Sequence, residues 1–251
     1  MLNFFNDWKN KIYEFVNVVS YKYCDEMWDI SPRMIEAREK ILWIKKTDYN
    51  LCKLVPFGLW LDRIQYYEYE KCEKNTLVFM WHLLEKQWVQ IVIKAIPDII
   101  KTLPQFKFKI IWIGPYKEFL ENLAKEYNVS DYCCFMWKID DNIDLENEIA
   151  KSCVAIAPYI RSIDTWTYYA DPWKIKTYIA CWVPLLLSDI SRNSKDIEKN
   201  ACWILIDENN THRIQRLLYL MQPDINIQYR KNSILYSKSF DYNNIFNWLL
   251  E

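Results

Sequence analysis

Six short apolar runs, at 77–80, 108–113, 133–136, 154–158, 184–188 and 203–206, alternate with longer stretches whose apolar residues recur every three or four positions. Apart from Lys109 and Ser188 the runs are apolar and do not alternate, the pattern of parallel strands buried on both faces. Between the first two, Val89, Val92, Ile93, Ile96, Ile99, Ile100 and Leu103 follow helical spacing, and Gln90, Lys94, Asp98 and Lys101 take the opposite face, which predicts an amphipathic helix. Pro97 sits inside that stripe and predicts a kink or a split. Leu120, Leu123, Ala124 and Tyr127 mark a second helix, and Leu145, Ile149 and Cys153 a short third. A fourth begins at Asp171-Pro172, read as an N-cap residue followed by proline at the first helical position. Strand–helix alternation at this spacing predicts an α/β fold with a doubly wound parallel sheet.

The first 75 residues differ. Residues 2–23 read as one amphipathic helix with Phe5, Trp8, Ile12, Phe15, Val16 and Val19 on one side. Its polar face mixes acids with lysines, which favours packing against protein over a membrane surface. Ser31-Pro32 opens another helix, and residues 52–57 read as a strand. That is too little to close a sheet and resembles the end of a domain. The expected organisation is the remnant of an N-terminal domain at 1–57, a linker at 58–75, a doubly wound domain at 76–240 and a C-terminal helix at 241–251.

Composition narrows the class. Hydrophobic residues make up 51% and charged residues 26%, so disorder and collagen-like repeats are excluded. A net charge of −1 gives no basic surface for a nucleic-acid partner. No apolar run approaches the roughly 18 residues that span a bilayer, and the N-terminus has no signal-peptide pattern. The eight cysteines show no CxxC spacing, so neither zinc nor a disulfide framework is expected, and a reducing cytoplasm fits. Sequons at Asn128 and Asn209 carry no weight without secretion. Arg161, Asp164, His212 and the Cys133-Cys134 pair stand in no motif and read as structural or solvated.

One count is abnormal. At the usual ~7% a chain of this length carries about 18 glycines; this one has 2, and it has 13 tryptophans. Trp81 ends the first strand run, Trp88 opens the helix after it, Trp112 precedes Ile113-Gly114-Pro115, and Trp137 ends the third run. Trp173 follows Asp171-Pro172, Trp182 stands between a helix and Val183-Pro184, and Trp203 begins the last run. Five of these seven are turns between strand and helix, where glycine is the default for positive φ. Trp43 is an eighth case, whereas Trp28, Trp166 and Trp248 sit in aromatic contexts suited to tryptophan. We read the pattern as UGA codons that mean glycine in the host and appear here as tryptophan.

With glycine at the seven positions the segments read FMGHLLEKQG, KIIGIGPYKEF, FMGKI, YADPGKIKTYIACGVPLLLSDI and ACGILIDENN. In that form the chain resembles the C-terminal, nucleotide-sugar-binding half of GT-B glycosyltransferases of the family 4 group. WDISPRMIEAREKI and VPFGLWLDRI resemble the stretch joining that family's two domains. The resemblance covers nearly the whole chain through several ordered motifs.

The resemblance implies a donor site built from strand ends, a helix N-terminus and cationic side chains. Trp81-His82 stands where relatives carry Gly-Arg followed by a lysine; here Lys86, shifted by one position, reads either as the phosphate cation or as a solvated helix-start lysine, His82 reads either as a site residue or as a turn or core histidine, and these two are the catalytic candidates. Trp112-Ile113-Gly114-Pro115 resembles a G-x-G-P turn beside the donor. Trp137-Lys138-Ile139 matches a loop that packs on the nucleotide base. Tyr169-Ala170-Asp171-Pro172-Trp173-Lys174 through Thr177 takes the place of an E-x7-E element, with Tyr169 and Thr177 at the two glutamate positions; Thr hydrogen-bonds a ribose less strongly than a carboxylate. Pro172-Trp173-Lys174 also fits a Pro-x-Lys variant. For Asp171 the plain reading is a cap, and Lys174 reads as a donor-site residue ahead of a plain surface lysine.

The function implied is transfer of a sugar from a nucleotide-sugar donor to an unknown acceptor, which is a glycan, a lipid-linked molecule or a small molecule. No metal or other cofactor is expected, because protein cations and helix dipoles take that role. The acceptor side belongs to an N-terminal domain, in a truncated portion or in another chain, and the location is cytoplasmic or peripheral at the inner membrane face. Two alternatives stand: a non-catalytic nucleotide-sugar-binding module, favoured by the missing glutamates, and a nucleotide-sugar epimerase of the same architecture, disfavoured by the lack of an acidic and histidine cluster.

Overall fold

The computed structural model describes residues 8–41, 51–160, 166–190, 198–206 and 212–250. Its centre is a six-stranded sheet of β3 (Glu73–Met80), β4 (Lys107–Ile111), β5 (Cys133–Met136), β6 (Ser152–Ala157), β7 (Leu185–Ser188) and β8 (Trp203–Ile206). All pairings are parallel, in the order β5-β4-β3-β6-β7-β8. Each run expected from its apolar character is a strand. Successive residues feed opposite faces. Val78, Met80, Ala155, Ala157, Leu185 and Leu187 point one way, toward α5 (Asn142–Ala150) and α7 (Trp173–Ala180). Leu77, Phe79, Phe108, Ile110, Val154 and Ile156 point the other way, toward α3 (Gln90–Thr102), α4 (Lys117–Glu126) and α8 (Arg213–Met221). Helices on both faces of a parallel sheet make the domain doubly wound and Rossmann-like. α9 (Pro223–Ser237) and α10 (Tyr242–Leu250) complete the chain.

The small unit at the start consists of α1 (Trp8–Tyr23), β1 (Glu26–Asp29), α2 (Pro32–Ile41) and β2 (Leu51–Leu54), with β1 and β2 paired in parallel. Ser31 Oγ accepts from Arg33 N at 3.2 Å, opening α2 as the sequence predicts. The buried Arg38–Asp29 ion pair holds α2 on β1. Arg33 donates to the Tyr168 and Ile190 carbonyls at 2.8 and 3.2 Å and lies 3.9 Å over the Tyr168 ring, which ties the unit to the large domain through α6 (Trp166–Tyr169).

Three expectations are corrected. Pro97 does not split its helix, since α3 runs unbroken from Gln90 to Thr102; buried Val92, Ile93, Ile96 and Ile99 hold it on the sheet across the one missing N–H. Asp171 does not cap α7: the N-cap is Pro172, and the Asp171 carboxylate accepts from Phe57 N at 3.0 Å and from Lys176. The strand expected at 52–57 is shorter, ending at Leu54. The apolar side of α1 is left open by the rest of the described structure: Ile12, Phe15 and Val16 are each at least half exposed and Val19 is 38% exposed. Phe5, Trp43, Arg161, Asp164 and Asn209 lie outside the described residues. No helix among the described residues is long and apolar enough to cross a membrane.

Tyr178 is fully buried in α7, and its hydroxyl accepts from Met80 N at 2.6 Å and donates to Met80 O at 3.2 Å. Tyr178→Phe leaves both buried backbone groups without that partner. The expected cost is about 1–3 kcal/mol, read as a melting temperature lower by roughly 2–10 °C; an unchanged melting temperature would show that these bonds do not hold α7 to β3.

Candidate functional site

The strand order reverses between β3 and β6, and in open α/β sheets ligands bind outside the carboxyl ends at such a point. The turns after β3 and β4 are laced together there, with Leu83 N donating to Ile113 O and Tyr116 N to Leu83 O, both at 3.2 Å. Gly114 lies against that lacing: a Cβ on it would stand 2.4 Å from Leu83 O, so no other residue fits. The N-terminus of α7 approaches from the β6 side. Three indoles meet in the space between, with Trp81 stacked on Trp112 and tilted against Trp173, each pair of centroids 6.2 Å apart.

Beneath them lies Lys174, in the first turn of α7 and 2% exposed. Its ammonium donates to Gln87 Oε1 and sits 4.3 Å over the Tyr159 ring and 4.8 Å over the Phe79 ring. Gln87 is itself buried and comes from the turn after β3; Tyr159 follows β6. The switch point therefore holds a desolvated cation, held between aromatic faces on one helix end. Sequence reasoning picked out Lys174 but missed Gln87 and Tyr159. For Tyr159 a signal existed in its place directly after an apolar run.

The other candidates are distributed around this centre. His82 and Pro115 are exposed on the two turns, and Lys86 is half-buried, its carbonyl accepting from Ile160 N at 3.2 Å. This joins the β3 turn to the β6 turn. Trp137 is 75% exposed with Lys117 4.4 Å over its ring, and Lys138 pairs with Asp140 while lying 5.5 Å from the Trp112 ring. Tyr169 is half-buried, edge-on to Tyr168 at 5.0 Å. Thr177 is fully buried, and its hydroxyl donates to Trp173 O at 3.1 Å, so that proton is spent within α7. Asp171 and Pro172 lie at the start of α7 on the side of the small unit. There Lys176 bonds both the Asp171 carboxylate and Phe57 O.

The glycosyl transferases group 1 model matches residues 68–232, more than half of the chain. The chain belongs to that family. The chain is similar in fold to the sucrose-phosphate synthase of Thermosynechococcus elongatus, at 15% identity and a TM-score of 0.74, over 98% of this chain and 61% of that one. WaaG, a glycosyltransferase involved in lipopolysaccharide biosynthesis, aligns at 15% identity and a TM-score of 0.71, over 98% of this chain and 68% of that one. Staphylococcus aureus TarM, solved with UDP, aligns at 13% identity and a TM-score of 0.73, over 97% of this chain and 47% of that one. The group 1 chain thus spans about three fifths of the synthase and about half of TarM. No curated protein sequence matches it.

Burial pushes the Lys176 ammonium below the ordinary lysine range, against the pull of Asp171. The folded chain then holds this proton less tightly than the unfolded one, so the charge opposes folding at neutral pH. That opposition fades as pH rises through the lowered value. Lys176→Met is expected to flatten the alkaline rise in stability, measured by melts between neutral and alkaline pH. Asp171→Asn tests the pairing with Lys176: an asparagine would serve a helix cap about as well and cost little, whereas breaking a buried ion pair costs about 3–5 kcal/mol. The larger loss in denaturant titration is the expected result.

Proposed function

We propose that the chain is the donor-binding part of an enzyme that transfers a sugar from a nucleotide-sugar to an acceptor. The observation that carries this reading is the buried Lys174 ammonium beside the α7 N-terminus at the switch point. As the bond from sugar to diphosphate breaks, negative charge develops on the leaving phosphate oxygen. A fixed cation and a helix N-terminus stabilise that charge. Lys174 takes this role with Lys86, and His82 is placed on the adjacent exposed turn as the candidate facing the sugar. Gly114 and Pro115 shape the diphosphate turn, and the Trp137-Lys138 loop borders the base. TarM, solved with UDP on the same fold, supports a nucleoside diphosphate as the probe. The acceptor, a glycan or another hydroxyl compound, would be held by an N-terminal half in the same polypeptide or in a partner chain.

Thr177 favours a second reading, a donor-binding module without turnover, because its hydroxyl proton is directed to its own helix where relatives are expected to carry a glutamate. Sugar release from UDP-sugars by the protein joined to an acceptor-side domain separates the two.

The indoles of Trp81 and Trp173 fill the crevice, each bringing well over ~100 Å² of surface. The chain as it stands is expected to bind UDP weakly or not at all in calorimetric titration, and Trp81→Gly with Trp173→Gly to bind it saturably. Adding Lys174→Met should weaken that binding roughly 10- to 100-fold, the loss of one charge-assisted contact, with a melt confirming that the variant is folded. An opened crevice that takes up no UDP sinks the donor reading.

A further inference from the structure

Among the described residues six take a positive φ: Asn75, Trp88, Trp112, Asn128, Trp182 and Ala201, and neither Gly58 nor Gly114 is among them. Asparagine adopts the left-handed region readily because its short side chain bonds locally. Tryptophan is bulky and pays a steric penalty there. Yet Trp88 has φ 54°, Trp182 has φ 60° and Trp112 has φ 128°, the last well beyond the left-handed helical well.

The same cap occurs twice, once in each chemistry. At the end of α4, Asn128 N donates to Lys125 O at 3.0 Å and Val129 N to Ala124 O at 2.8 Å. At the end of α7, Trp182 N donates to Ile179 O at 2.9 Å and Val183 N to Tyr178 O at 3.1 Å. Both are Schellman caps, whose left-handed residue is ordinarily glycine and sometimes asparagine. α4 obeys that rule with Asn128, and α7 breaks it with Trp182. Trp88 breaks it again in the left-handed residue between the Glu85–Gln87 turn and α3. Trp112 takes its positive φ just after β4, two residues before Gly114, with no helix to cap.

We infer that positions 88, 112 and 182 are glycine in the protein that the host makes. One codon accounts for the substitution, UGA read as glycine there and written here as tryptophan. The same cause covers Trp81 and Trp173, whose φ values are ordinary but whose indoles occupy the crevice with that of Trp112. It also accounts for a chain of 251 residues with 2 glycines and 13 tryptophans. The contacts the indoles make do not explain their places. Trp182 stacks on Tyr66 at 3.7 Å and Trp88 lies 5.2 Å under Arg213, packing that a tryptophan finds at many surface positions without a positive φ.

The test reads residue identity and stability, not donor binding, so its failure is separate from that of the proposed function. Peptide mass spectrometry of the protein isolated from its host should find glycine at 88, 112 and 182. In recombinant protein, Trp88→Gly, Trp112→Gly and Trp182→Gly together should raise the melting temperature by roughly 5–10 °C, as backbone strain is relieved at three sites. Trp28→Gly and Trp248→Gly, at exposed positions without a positive φ, should give no rise. Tryptophan in the host peptides, or a triple variant that melts no higher than its parent, overturns the inference. If the tryptophan form does not fold, the host peptides alone decide.

Discussion

Two hydrogen bonds from one phenol fix the geometry on which the site depends. The Tyr178 hydroxyl engages both the N–H and the carbonyl of Met80, the last residue of β3. That sets the height of α7 against the sheet, and with it everything α7 carries. Its first turn then brings Lys174 to the switch point, and its last turn ends at Trp182, where the chain must reverse into β7. A slip of one residue along α7 would turn Lys174 about 100° around the helix axis, away from Gln87 and Tyr159.

The small unit is joined to the same helix by charge. Asp171 and Lys176 sit one turn apart and both reach Phe57, through its N–H and its carbonyl respectively. The segment leaving β2 is thereby pinned to the flank of α7 opposite the crevice. Arg33 makes a second tie through the carbonyls of Tyr168 and Ile190. Both ties use backbone acceptors or donors, so they fix chain position more than side-chain identity.

The sheet was legible in the sequence because strands such as β6 and β7 are buried on both faces and so carry no polar alternation. The motifs singled out after β3 and β4 and at the start of α7 meet at one crevice in the fold. What stayed hidden depends on partners distant in sequence. Asp171 reads locally as a cap, and only the fold shows that its carboxylate is taken by a backbone amide 114 residues away. Lys174 reads as a surface lysine or a ligand; its burial follows from Phe79, Gln87 and Tyr159, which come from three separate segments. Pro97 reads as a breaker, and only the packing of its neighbours on the sheet shows the helix continuing. The glycine deficit was visible as composition, but which tryptophans carry backbone strain required φ.

The open apolar side of α1 has a consequence for behaviour in solution. Ile12, Tyr13, Phe15, Val16, Val18, Val19 and Tyr23 are all presented to solvent on one short helix. A net charge of −1 supplies almost no long-range repulsion between molecules. Colloidal stability of the isolated chain is therefore governed by this helix: molecules meeting through α1 remove apolar surface from water with little electrostatic opposition. Solubility should improve with charge added on α1, far from the crevice, and respond little to changes in the sheet.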